Sequence, residues 1–181
     1  MWGKRMRKAI LSILIIALII SLIGNYFYFK HLQEDKREAE CEFENAVIGL
    51  YNDLFRFSEH LELFMDEYTK ADRDEVKLMS QATSLQHIAI RIEDDYLEEV
   101  LNDRTDFYRN DYLQVLNFRW MASEVLDALE NEKEQEDLIS IKEKVDVVIG
   151  MLPEHNDYLK LNVDEEEALW EEIFLTLERM E

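Results

Sequence analysis

From Phe43 onward, apolar side chains recur as Phe43, Val47, Leu50, Leu54, Phe57, Leu61, Phe64 and Tyr68, in alternating steps of four and three. Such steps keep one face of an α-helix apolar, so the spacing predicts a long amphipathic helix with a heptad seam. A second stripe runs Leu78, Ala82, Leu85, Ala89, Ile92, Tyr96, and a third runs Tyr108, Tyr112, Val115, Ala122, Leu126, Leu129 with Phe118 and Trp120 nearby. The fourth is Leu138, Ile141, Val145, Val148, Leu152, and Trp170, Ile173, Phe174, Leu177 and Met180 mark a short terminal helix. Between the stripes, a side-chain acceptor followed three residues later by an acid predicts helix starts at Asp72 with Glu75, Asp103 with Asp106, Asn131 with Glu134, and Asp164 with Glu167. Gly150 and Pro153 predict one clear loop at about 150–163. Helices joined by short turns pack as antiparallel neighbours, so the expected fold is all-α: an antiparallel four-helix-type bundle with a short extra C-terminal helix.

The chain before Phe43 follows a different pattern. Residues 1–8 (MWGKRMRK) are basic, and Ala9 to Ile23 carries no charge. Extended through the aromatic run Tyr26 to Phe29, the apolar segment is about 31 Å long at roughly 1.5 Å per residue, which matches a hydrocarbon core of about 30 Å. This predicts a single transmembrane helix over 9–29, with Trp2 on one side and Tyr26 and Tyr28 on the other as membrane-interface anchors. Cleavage as a signal peptide requires small residues after the apolar run, and bulky ones stand there, so the segment reads as an uncleaved signal-anchor. The basic N-terminus orients residues 1–8 to the cytoplasm and the C-terminal domain outside, as in a bacterial cell-membrane protein. Gly49 is tolerable in a helix at about 1 kcal/mol, so residues 30–42 read as a stiff helical stalk leading into an extracytoplasmic bundle over 43–181.

Charge narrows the function. Residues 31–181 hold 15 of the 20 basic and all 41 acidic side chains, a formal charge of −26. A field of this sign repels phosphate and argues against nucleic acid. Fifteen aromatics in the same stretch argue against disorder. Cys41 is the only cysteine, so the outer domain has no internal disulfide, and Cys41 is a candidate intermolecular disulfide joining two copies.

Chemical motifs are scarce. No Glu-x-x-His pair or His-Glu-x-x-His stands in the sequence, and its four glycines are scattered singly, so no metal, cofactor or catalytic residues are expected. Asp72-Arg73-Asp74-Glu75 lacks the alternating ligands and the glycine of a calcium loop and reads as a capped helix start. Met65, Met79, Met121 and Met151 read as core gap-fillers. The unusual patch is Ser80, Gln81, Thr83, Ser84, Gln86 and His87, neutral polar residues in an acidic chain. Ser84, His87, Arg91 and Asp95 share one helical face, a candidate recognition face whose plainer reading is a solvated stripe with Arg91 paired to Asp95. Arg104, Arg109 and Arg119 lie among Phe107, Tyr108, Tyr112, Phe118 and Trp120, rings expected mostly in the core. The expected function is therefore non-catalytic: a membrane-anchored module acting through protein contacts. Its partners would be the lipid bilayer, a basic protein and a second copy of the chain. The alternative is a ligand-sensing bundle that signals through a membrane partner.

Overall fold

Residues 2–97, 100, 116–131 and 135–180 are described by the computed structural model, with backbone alone at 2–16, 130 and 135. They form α1 (Trp2–Tyr68), α2 (Glu75–Arg91), a π-helical turn (Ile92–Leu97), α3 (Phe118–Asn131), α4 (Gln135–Met151), the one-turn α5 (His155–Tyr158) and α6 (Val163–Glu178). These residues are all-helical, with no strand among them. The expected side chains Tyr108, Tyr112 and Val115, the Asp103 and Asp106 helix start, Glu134, and Arg104, Phe107 and Arg109 lie outside the described residues.

The chain divides into two units, residues 1–42 and 43–181. In the first, Leu18, Ile19, Ile20, Leu22, Ile23 and Tyr26 to Phe29 are all exposed. Beyond them the helix turns polar, with i,i+4 pairs Lys30–Glu34 at 3.4 Å, His31–Asp35 at 2.8 Å and Lys36–Glu40 at 3.9 Å. Among the described residues no helix is long and apolar enough to cross a membrane. The side chains at 2–16, which include Trp2 and the first half of the expected 9–29 span, lie outside that description.

In the second unit the first heptad stripe is the core. Phe43, Val47, Leu50, Leu54, Phe57, Leu61 and Phe64 are buried, and half-buried Tyr68 donates its hydroxyl to the Ala128 carbonyl at 3.1 Å. Contacts along α1 fix the chain directions. Glu67 Oε1 accepts from the Asp74 amide at 2.9 Å, His60 meets Gln81, and Asp53 pairs with Arg91 at 3.0 Å, so α2 runs back along α1. Ser58 bonds Asp146 at 3.2 Å and Tyr51 bonds the Pro153 carbonyl at 2.5 Å, so α4 also opposes α1. Phe57 with Phe118, and Tyr68 with Ala128, put α3 parallel to α1. Trp170, Ile173, Phe174 and Leu177 of α6 are buried in the same apolar cluster.

Several local expectations are corrected. The start of α2 is capped by Asp74, not Asp72: its carboxylate accepts from the amides of Val76 and Lys77 at 3.0 and 3.2 Å. Glu67 holds the Asp74 amide, which sets Asp74 at the helix boundary. Likewise α6 starts with a reciprocal capping box between Asn162 and Glu165, not Asp164 with Glu167. Asn131 is the last residue of α3. The 150–163 segment contains the last turn of α4 and the whole of α5.

The second stripe holds through Ile92 and then slips by one. An i→i+5 turn takes up one residue more than an α turn, so Leu97 and Val100 enter the core where a continuous α-helix would present Tyr96. The Tyr96 ring lies over Gly49, where an added Cβ would stand 2.6 Å from Cζ and 2.8 Å from Cδ1. On α3, the buried set is Phe118, Met121, Ala122, Val125 and Ala128, whereas Leu126 and Leu129 are half-buried and Trp120 is 47% exposed beneath the Lys144 ammonium. Of the methionines, Met121 is buried, Met65 and Met151 are half-buried, and Met79 lies outside the core.

Candidate functional site

Three features of the 43–181 unit bear on function. The first is a groove between α1 and α2 of about 510 Å³, walled by Arg56 and His60 from α1 and Ser84, His87 and Arg91 from α2. Three of the four residues of the expected recognition face thus meet in one depression. Asp95, exposed on the π turn, is not among its walls. Arg91 does not pair with Asp95 either: its Nη2 meets Asp53 Oδ1 at 3.0 Å, and Arg56 Nη1 approaches the same oxygen at 3.5 Å. Asp53 is only 2% exposed, so removing Arg91 would leave a carboxylate buried without its closest cation. Arg91 therefore holds the α1–α2 pair together as well as lining the groove. The His60 ring bonds the Gln81 side chain through Nδ1.

The second feature is a pocket of about 240 Å³ that sequence reading missed, formed where α1 meets the end of α4 and the start of α5. Tyr51, Leu54, Phe55, Ile149, Leu152 and Pro153 supply its walls, with Glu154 and His155 beside them. Burial raises the Tyr51 phenol above its ordinary pKa, so it stays a neutral donor to the Pro153 carbonyl. Behind it, Tyr158 donates to Glu166 at 2.5 Å and accepts from Trp170 Nε1 at 2.9 Å, and burial raises the Tyr158 phenol too. The one available signal was Phe55, an aromatic beside the heptad stripe but outside it.

The third is the outer face of α2. Residues 76–92 contain no Asp or Glu, in a chain with 41 of them. Val76, Ser80, Thr83, His87 and Ile90, spaced by four, three, four and three, are all exposed, Val76 at 80% and Ile90 at 43%. Met79, 49% exposed, flanks them.

No family model, curated protein or solved structure matches this chain. Function therefore has to be argued from these surfaces alone.

The groove offers guanidinium and imidazole donors. Glu93 is raised chiefly by desolvation and is engaged at the start of α3: it accepts the Arg119 amide at 2.9 Å and pairs with the Arg119 guanidinium at 3.2 Å. Asn117 Oδ1 completes that cap by accepting the Trp120 amide at 2.7 Å. Arg119, expected among core rings, is spent on this junction and on Asp94. Among the described residues no group of three His, Cys, Asp or Glu is gathered to hold a metal ion. Cys41 is exposed in the 1–42 unit.

Proposed function

We propose that this chain is a single-pass membrane protein with its N-terminus in the cytoplasm. Its 43–181 domain, an antiparallel four-helix bundle with an added C-terminal helix, acts outside the cytoplasm through protein contacts and without catalysis. The outer face of α2 carries the reading. A surface this acidic keeps molecules apart in general, and the stretch 76–92, which carries no acid and exposes Val76, Met79 and Ile90, is where apolar contact meets least of that repulsion. The anchor is supported by the uncharged run Ala9 to Ile23, the five cations and no acids in residues 1–30, and the exposed apolar side chains from Leu18 to Phe29. The bundle is supported by the opposed registers of α2 and α4 against α1.

The test is a photo-crosslinking side chain placed at Thr83, compared with one at Leu175 on α6, in the full chain in intact cells, together with external protease. Discrete protein adducts from Thr83 and not from Leu175, with residues 31–181 digested from outside, are expected. Equal or absent adducts at Thr83 would remove the interaction reading, and protection from protease would reverse the topology.

A second reading is favoured by the gathering of Arg56, His60, His87 and Arg91 in one groove: a sensing bundle that takes a small anion there. Titration of the full chain with inorganic phosphate checks it. Saturable binding weakened by Arg56→Gln would support it, and phosphate binding indifferent to that change would sink it.

A further inference from the structure

The pocket between α1 and the α4–α5 corner takes no part in either reading above. We infer that it is a binding site for a small aromatic amine, seated ring-first with its ammonium at the mouth beside Glu154. Its walls are the side chains of Tyr51, Leu54, Phe55, Ile149, Leu152 and Pro153, and the one polar group among them, the Tyr51 hydroxyl, already donates to the Pro153 carbonyl. These walls leave no unused side-chain donor inside, so the buried part of an occupant has to be apolar. Size then admits a ring system. An apolar cavity of about 150 Å³ suffices for benzene, and the 240 Å³ here leaves room for a fused pair of rings such as indole. Aromatic walls favour an aromatic occupant. Tyr51 meets His155 and Tyr158 edge to face with centroids at 6.3 and 6.1 Å, and the Phe55 ring, 59% exposed, gains cover when another ring lies against it.

Charge selects the amine. Glu154 is exposed beside the pocket, and its carboxylate neither caps α5 nor engages a cation among the described residues. Asp157, three residues on, is by contrast held by Lys160 at 2.6 Å. An ammonium at the mouth therefore meets an unpaired carboxylate, with the Tyr51 and Phe55 rings near enough to add a cation–π contact. The net charge of −21 draws such a cation in and repels an anion of the same shape. An anion finds its counter-charges in the groove of Arg56 and Arg91 instead, so the two depressions of this domain divide ligands by sign.

The experiment titrates the full chain in lipid nanodiscs at pH 8 with tryptamine, whose alkylamine is protonated there, and in parallel with indole-3-acetate and indole. These carry the same ring with the opposite charge and with none. Calorimetric heats are corrected with empty nanodiscs. Saturable binding of tryptamine is expected, tighter than that of indole, with indole-3-acetate the weakest of the three. Glu154→Gln, an exposed change, should weaken tryptamine by about two- to fivefold and leave indole as it was. Phe55→Ala, also at an exposed position, should weaken tryptamine and indole alike by about two- to tenfold. Absence of saturable tryptamine binding would overturn the inference, as would equal affinity for tryptamine and indole-3-acetate, or tryptamine binding indifferent to either substitution. If Phe55→Ala lowers the urea unfolding midpoint, the contrast between tryptamine and indole on Glu154→Gln decides alone.

Discussion

Gly49 sits mid-helix, where glycine ordinarily costs about 1 kcal/mol relative to alanine. Its lack of a Cβ is used, because the Tyr96 ring fills the space a Cβ would take. Gly49→Ala gains helix propensity but overpacks against a half-buried ring, a penalty of about 1–3 kcal/mol, so a net loss of up to about 2 kcal/mol is expected by urea unfolding. In a Tyr96→Ala background the same change should turn stabilising. Equal effects in both backgrounds would show that the ring does not enforce the glycine. Glu67 carries a second residue-scale consequence. The Lys70 hydrogen bond, with the Asp74 amide next, holds its carboxyl below the ordinary 4.5, so its ionised form favours the fold. That contribution is present above pH 4.5 and is lost as pH falls through the lower folded value, so Glu67→Gln should flatten the acid limb of stability. Glu93 has the opposite sign. Raised mainly by burial, it favours the fold when protonated, and this advantage disappears as pH rises through its folded value. Glu93→Gln should therefore remove a slope of the other direction, provided the glutamine still accepts the Arg119 amide. Unfolding midpoints of the two variants across pH 3 to 7 check both signs.

At the scale of elements, the caps separate what local sequence says from what the fold decides. Asp74→Ala should lower stability by about 0.5–2 kcal/mol and Asp72→Ala by no more than a few tenths; the reverse order in chemical denaturation would show that α2 starts elsewhere. Asp72, with Glu75 three residues on, satisfied the sequence rule for a helix start and Asp74, followed by Lys77, did not; the hydrogen bond from the Asp74 amide to Glu67, on another helix, places the boundary. The stripes of α1 and α4 were legible because a strict heptad has one consistent buried face, and that face is the buried one. In the third stripe Ala122 is buried as expected, while Val125 and Ala128 take the buried positions and Leu126 and Leu129 pack half-buried against the core; these one-residue offsets depend on how α3 seats on its neighbours, which its own spacing does not give. For the site, Ser84, His87 and Arg91 were readable as one face because they lie on a single helix. Arg56, His60 and Asp53 were not, since nothing local announces that residue 53 will meet residue 91.

For the whole molecule, a net charge of −21 sets any contact with another acidic surface against long-range repulsion. The screening length shrinks from about 30 Å at 0.01 M salt to about 10 Å at 0.1 M. A partner held on the outer face of α2 by apolar contact should therefore be retained as salt is raised over that range, whereas one held by the acidic faces should be lost. The yield of photo-adducts from Thr83 at the two salt concentrations measures it, and a fall in yield would point to attraction between unlike charges as the main term.

The π turn carries a consequence for edits that change chain length. A one-residue deletion inside a helix ordinarily rotates everything beyond it by about 100°, which takes a buried stripe out of its core. Between Ile92 and Leu97 the chain holds one residue more than a plain α turn would use. Deleting Asp95 would let Leu97 and Val100 fall four and seven residues after Ile92, the steps that the stripe from Leu78 to Ile92 already follows. The fold should accept that shortening and melt close to the full-length chain, whereas loss of Ser84 from the middle of α2 should unfold it. What the shortened protein would give up is the seat of Tyr96 on Gly49, so the surplus residue marks the position at which this bundle has room to change its length.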